Sequence, residues 1–262
     1  MITSPPRPLA LVTGASRGIG AALARELARH GHDLVLAARS VEPMDALSDE
    51  LRRAGAAATV IAADLSQPGA ATRLAEDIAR RGMAIDVLIN NAGLGAAGRF
   101  DRIDAGRLDE ILQVNIVALT GLTRLLLPGM IARGHGRIML VASVAGFQPG
   151  PGMAAYYASK AFVLSLGEAL AQELRGTGVS VTTLCPGATA TRFFDVADAN
   201  NSLMARLRRM MPADRVARLG YQGLAAGRRV VITGAMNRLA AFAGRYAPRR
   251  VILPVTDRLM SD

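Results

Sequence analysis

Short runs rich in Val, Ile and Leu alternate with stretches of helical periodicity along nearly the whole chain. The predicted strands are Leu9–Thr13, Asp33–Ala38, Thr59–Asp64, Asp86–Asn90, Gly136–Ser143, Val179–Cys185 and Arg229–Thr233. The predicted helices are Gly18–His30, Glu42–Ala54, Gln67–Arg81, Ala105–Arg133, Ala155–Gly176 and Asp214–Ala226. Apolar strands separated by helices imply a parallel sheet covered on both faces. Right-handed crossovers then give a doubly wound α/β fold: a seven-stranded parallel sheet flanked by helices. No linker or shift in composition splits the chain, so residues 1–262 read as a single domain. Two segments break the rhythm: an irregular insert at 188–212 and a C-terminal tail at 235–262.

Composition narrows the function. Hydrophobic residues make up 51% of the 262, enough for a large core and against disorder. There is no Trp, and aromatic residues are 4%, which argues against a stacking platform for single-stranded nucleic acid. The one cysteine, Cys185, excludes an internal disulfide, and His30, His32 and His135 lack ligand spacing, so no metal is expected. No apolar leader precedes the first strand, and no run reaches the ~18 apolar residues of a membrane span. A cytoplasmic protein is the expectation. The net charge is +10, and residues 201–262 carry twelve Arg against three acidic residues. This is either a solvated surface or a face for an anionic partner: a membrane, an acidic carrier protein or an acidic substrate. No recognition motif accompanies it, so nucleic acid is not expected. Among 31 basic residues, Lys160 is the only Lys. A position that keeps Lys in an Arg-rich chain points to a need for a compact ammonium.

Between the first strand and first helix runs Thr13-Gly14-Ala15-Ser16-Arg17-Gly18-Ile19-Gly20. Glycines let this backbone turn tightly against a pyrophosphate, and the helix N-terminus offers free N–H groups. In that place the pattern reads as a dinucleotide site. The second strand ends in Ala37-Ala38-Arg39-Ser40, with no acid for a ribose 2′-hydroxyl. Arg39 and Arg17 can instead pair with a 2′-phosphate, or be surface arginines; NADP is expected over NAD. Asp64, followed by Leu65, is placed to accept a bond from an adenine amino group or to cap a helix. Asn90-Asn91-Ala92-Gly93 ends the fourth strand, where small residues let a cofactor lie on the backbone. Asn91 has a second reading, as a bond between neighbouring strands.

Tyr156 and Lys160 lie four apart on a predicted helix and share a face. A phenol is a poor acid or base at neutral pH, and an adjacent ammonium lowers its pKa toward working range. Ser143, at the end of the fifth strand, can hold a substrate oxygen beside Tyr156. Asn115 in Gln113-Val114-Asn115-Ile116 is either a satisfied core residue or a relay that orders water behind the lysine.

Taken together, these motifs resemble the short-chain dehydrogenase/reductase superfamily, over residues 7–234. The resemblance implies a Rossmann fold. It implies catalytic roles for Asn115 (relay), Ser143 (substrate holder), Tyr156 (acid/base) and Lys160 (ribose binder and pKa depressor). Tyr156, the first tyrosine of Tyr156-Tyr157-Ala158-Ser159-Lys160, takes the catalytic position. In Pro186-Gly187-Ala188-Thr189-Ala190-Thr191, it assigns Thr191 to the nicotinamide carboxamide and Pro186, Gly187 and Thr189 to that side of the cofactor site. A homodimer or homotetramer is implied, joined through the Asn115 and Tyr156 helices. The C-terminal part resembles a bacterial oxidoreductase subgroup, with ketoacyl reduction and oxidation of steroid or other apolar alcohols as the nearest activities.

The expected function is therefore an NADP(H)-dependent oxidoreductase acting on a carbonyl or secondary alcohol. The insert carries Phe193, Phe194, Val196, Leu203, Met204, Leu207, Met210 and Met211, which fits an apolar substrate or a pair of packed helices. In the tail, Leu239, Phe242, Ala243 and Tyr246 share a helical face that can cover the pocket, pack on a partner subunit or lie on a membrane, with packing preferred. The competing classes are an NADPH sensor without turnover and a membrane- or carrier-docking protein.

Overall fold

The computed structural model describes residues 7–191, 193, 197 and 210–260. In chain order the strands are β1 (Leu9–Thr13), β2 (Asp33–Ala38), β3 (Ala58–Ala62), β4 (Val87–Asn90), β5 (Gly136–Val141), β6 (Val179–Cys185), β7 (Thr189–Ala190), β8 (Met211–Pro212) and β9 (Val230–Ile232). The helices are α1 (Gly18–Arg29), α2 (Val41–Arg53), α3 (Ala70–Arg80), α4 (Ala105–Leu112), α5 (Leu119–Ala132), α6 (Ala154–Glu173), α7 (Ala213–Ala225), α8 (Ala235–Tyr246) and α9 (Arg249–Met260).

Seven strands form one parallel sheet in the order β3-β2-β1-β4-β5-β6-β9. This is the doubly wound α/β fold expected from the sequence. The order reverses between β1 and β4, and ligands bind outside the carboxyl ends of strands at such a point. The strands read as unbroken apolar runs because alternate side chains enter two separate cores. Leu11, Val35, Leu88 and Leu140 pack on one face with Leu74, Ile111, Leu122 and Val163. Val12, Leu34, Leu36 and Ile89 pack on the other with Leu23, Leu27, Met44 and Val216. Truncating any one of these leucines to Ala costs about 2–5 kcal/mol.

Several boundaries differ from expectation, and tertiary contacts explain them. β3 stops at Ala62, because Asp64 folds a turn in which its Oδ1 accepts the Ser66 N–H (3.1 Å) and hydroxyl (2.7 Å). β5 stops at Val141, so Ser143 lies beyond the strand and caps a 3₁₀ turn over Val144–Phe147. The single helix expected over 105–133 is α4 and α5 joined by a π-helical stretch, Gln113–Ala118. That compound helix is long and apolar enough, by length and composition, to cross a bilayer, which the residue-by-residue reading did not anticipate. Here Ile111, Val114, Ala118 and Leu122 turn it into the core.

The insert at 188–212 is pinned at both ends, since β7 and β8 pair in parallel. The expectations for Phe194, Val196, Leu203, Met204 and Leu207 lie outside the described residues. The tail forms two helices, and the face singled out from sequence is not the one that packs on the body of this chain. Leu239, Phe242 and Tyr246 are 62–67% exposed. Ala241 and Gly244 are buried instead. At Gly244 a Cβ would lie 3.2 Å from Gln148 Cβ and 3.3 Å from the Phe147 carbonyl oxygen, so a small residue here lets α8 pack closely on the end of the 3₁₀ turn.

Candidate active site

The phosphate end of the site begins at the β1–α1 turn. Gly14 (φ 65°) and Gly18 (φ 58°) adopt left-handed conformations that side chains disfavour. Gly20 has a different constraint: a Cβ there would sit 2.2 Å from the Gly14 carbonyl oxygen. Arg17 at the cap position makes no side-chain capping bond, and the first turn of α1 carries no acid. The N–H groups of this turn are thus open to an anion.

Asn91 clamps the loop from below. Its Nδ2 donates to the Thr13 (2.9 Å) and Gly14 (3.2 Å) carbonyls, while the N–H groups of Asn91 and Ala92 donate to Thr13 Oγ1 (3.0 and 3.1 Å). Its inter-strand reading describes the side chain, though the residue also borders the cleft. At the end of β2, Arg39 is exposed, as is Arg17. Neither guanidinium has a hydrogen bond or ion pair among the described residues, so both are available to a ligand phosphate. Arg39 is close enough to Asp64 to act on its carboxyl. Desolvation works against that carboxyl's charge, but bonds from Ser66 and Gln67 prevail and hold its pKa low.

The other end is built from β5, α6 and the segment after β6. Ser143 Oγ accepts the Ala145 N–H (3.1 Å), lies 3.4 Å from the Pro186 carbonyl, and hydrogen-bonds the Tyr156 phenol. Lys160 is 4% exposed; its Nζ donates to the Val141 carbonyl (2.9 Å) and lies 5.8 Å from the Tyr156 ring centre. Burial pushes the Tyr156 phenol up to about 12, against the lowering effect of Ser143, with Tyr157 adding to the rise. Burial also pulls the Lys160 ammonium down to about 8, against a small opposing effect of Cys185. Desolvation drives both groups toward their neutral forms, and Ser143 is the group that opposes the rise of the phenol.

Asn115 is fully buried. Its Oδ1 accepts the Leu94 N–H (2.8 Å), and its Nδ2 donates to the Leu94 carbonyl (2.9 Å) and to Ser159 Oγ (2.9 Å). Ser159 Oγ donates in turn to the Tyr156 carbonyl (2.7 Å). The side chain therefore meets the satisfied-core reading, with one lone pair of Oδ1 to spare. Ser159 was not singled out from sequence, although its place three residues after Tyr156 puts it on the same side of α6.

One cleft of about 350 Å³ is bordered by Gly14, Ser16, Arg17, Gly18, Ile19, Arg39, Asp64, Leu65, Asn91, Ala92, Gly93, Ser143, Tyr156, Lys160, Pro186, Gly187, Thr189 and Thr191. Of the candidate catalytic and cofactor-binding residues, Gly20 and Asn115 stand behind its wall. Thr191 lies over the phosphate loop, since a Cβ on Gly18 would come within 3.0 Å of its methyl. A Cβ on Gly93 would lie 3.2 Å from Lys160 Nζ, so the lysine head sits close against the floor at this glycine. These cradles fit an elongated dinucleotide, and the exposed Arg17 and Arg39 stand at one end of them. Beyond Tyr156 the wall is apolar: Met153, Tyr157 and Phe193, whose ring centre is 5.0 Å from that of Tyr156. Val144, Ala240 and the polar Gln148 also border the cleft, and none of these three was identified from sequence. Gln148 and Ala240 meet only through the packing of α8, which no local pattern signals. Among the described residues no three His, Cys, Asp or Glu side chains cluster to hold a metal.

A switch-point cleft, a glycine-rich phosphate turn and a Ser–Tyr–Lys constellation together define a dinucleotide-dependent oxidoreductase site. The sequence pattern of the short chain dehydrogenase family matches residues 8–202. The chain belongs to that family of nicotinamide-dependent oxidoreductases. It is 41% identical over 180 residues to the ketoacyl reductase HetN of Nostoc sp., covering 68% of this chain and 62% of that protein, less than two thirds of its length. A short-chain dehydrogenase from Sphingobium yanoikuyae in complex with NADPH superposes with a TM-score of 0.81 at 36% identity, covering 90% of this chain and 92% of that one. The bulky-bulky ketone specific alcohol dehydrogenase from Comamonas testosteroni superposes with a TM-score of 0.77 at 34% identity, covering 91% and 92%.

Proposed function

We propose that the chain reduces an apolar ketone with NADPH, Tyr156 giving the proton to the carbonyl oxygen. The observation that carries this reading is the Tyr156 phenol, bonded to Ser143, facing an apolar wall and raised to about 12 by burial. Set beside Ser143 on that wall, the phenol is placed to give a proton to a carbonyl oxygen. The nicotinamide, when bound, supplies the hydride. Ser143 and Tyr156 hold the substrate oxygen through two hydroxyls. Lys160 carries the positive charge beside Gly93, on the floor where the ribose lies. Arg39 and Arg17 take the 2′-phosphate; the NADPH complex of the Sphingobium relative supports that preference. Asn115 and Ser159 position the Tyr156 turn of α6 against the Leu94 segment. Phe193, Tyr157 and Met153 exclude water from the reacting atoms and favour a bulky substrate, in line with the ketone specificity of the Comamonas relative.

We also propose a homo-oligomer joined through α5 and α6. Leu125 on α5, Phe162 on α6 and Val117 in the π-helical stretch before α5 are exposed, and a subunit contact there would cover them.

The direct test is oxidation of NADPH against a panel of aliphatic, cyclic and aryl ketones and β-ketoacyl thioesters, with NADH in parallel. Turnover of a bulky ketone with NADPH, and weak turnover with NADH, is expected. NADPH binding without turnover of any ketone would sink the reading.

A further inference from the structure

We propose that the outer face of α8 and α9 is a docking surface for an anionic lipid bilayer. The argument is independent of the reaction proposed above. On α8, Met236, Leu239, Phe242 and Tyr246 are 77, 62, 64 and 67% exposed. Spaced by three and four residues, they form one stripe, opposite the packed side of Ala241 and Gly244. The Phe242 and Tyr246 rings meet at 4.7 Å, which makes the stripe continuous. On α9, Val251, Leu253 and Val255 are exposed as well.

The charge on these two helices selects the occupant. Residues 235–260 hold Arg238, Arg245, Arg249, Arg250 and Arg258 against Asp257 alone. Arg245 has a distant partner in Glu168 (3.8 Å), and Arg249 donates to the Gly244 carbonyl (3.3 Å). Arg238 and Arg250 are exposed. A second copy is a poor fit, because a two-fold contact would set this basic patch against itself. An apolar stripe with basic flanks instead matches a helix lying in a membrane interface, where apolar burial and attraction to anionic lipid add. The surface adjoins the cleft: Ala240, one turn after Met236, borders it. Docking there would turn the cleft mouth toward the lipid.

The test uses the full-length protein and sedimentation with vesicles of phosphatidylcholine, alone or with about a third phosphatidylglycerol, at low and high salt. Binding to the mixed vesicles at low salt, and loss of most of it at high salt or on pure phosphatidylcholine, is expected. Leu239→Glu with Phe242→Glu should abolish pelleting while thermal unfolding and NADPH binding stay as in wild type. Arg238→Ser with Arg250→Ser should weaken partition by roughly thirtyfold, about 1 kcal/mol per arginine. Failure of the wild type to pellet on mixed vesicles overturns the proposal, and so does unchanged pelleting of the glutamate variant. Two further results also overturn it. One is a glutamate variant that changes oligomer mass with no effect on lipid; the other is capture by an acidic carrier protein without vesicle binding.

Discussion

The two ends of the cleft are held together on different terms. Beneath the glycine turn at the phosphate end, neutral groups satisfy one another: Thr13, Asn91 and Ala92 close a ring of hydrogen bonds, and the charged Arg17 and Arg39 stay exposed to solvent. At the hydride end, ionisable groups are buried with few partners. Lys160 has one hydrogen bond among the described residues, and burial displaces both its pKa and that of Tyr156. The first arrangement is stable as it stands. The second costs stability and finds its use only with a ligand, which is the physical mark of a reactive site.

Substitutions can break or sharpen this contrast. Asn115 is the satisfied exception at the reactive end. Asn115→Ala leaves the Leu94 N–H and carbonyl buried without partners, and should lower unfolding free energy by about 3 kcal/mol. Denaturant melts check this; a loss under 1 kcal/mol would place Asn115 among residues kept for chemistry alone.

Lys160→Met should act in the opposite sense. The folded pKa of about 8 lies below the ordinary 10.5, so between these values the unfolded chain binds more protons. Wild-type stability therefore gains from Lys160 as pH rises from about 8 to 10.5, and the cost of its burial is full below 8. The methionine variant should be more stable by about 2 kcal/mol at pH 7, with that advantage gone near pH 10.5. Melts at both pH values decide it, and a destabilised variant at pH 7 would contradict the contrast.

At the phosphate end the effects fall on affinity. Gly20→Ala, which forces the Gly14 carbonyl to move, should weaken NADPH binding by about thirtyfold, or about 2 kcal/mol. Arg39→Ser should weaken it by about tenfold and leave NADH unchanged. Fluorescence titration with both cofactors reads each variant; equal losses for NADPH and NADH in the Arg39 variant would remove the 2′-phosphate assignment.

The same contrast governs what the sequence reveals. The phosphate end is legible because its determinants are local: a glycine turn between a strand and a helix, and small residues at a strand end. The Tyr156–Lys160 pair is legible because four residues make one helical turn. The direction of their pKa shifts is not, since it follows from burial in the folded chain, which no spacing encodes. Ser143 as a cap, Asp64 in a turn of its own, and the π-helical stretch around Asn115 are likewise set by tertiary bonds. The tail's helical period was readable, but its buried side was not, because small residues rather than large ones make the contact.

The most direct test of the account is ketone-dependent NADPH oxidation by Tyr156→Phe beside an NADPH titration of the same sample. Phenylalanine keeps the ring against Phe193 and removes only the proton donor. The account predicts turnover lower by roughly 10³-fold with NADPH affinity within twofold of wild type. Turnover within a few-fold of wild type would contradict it.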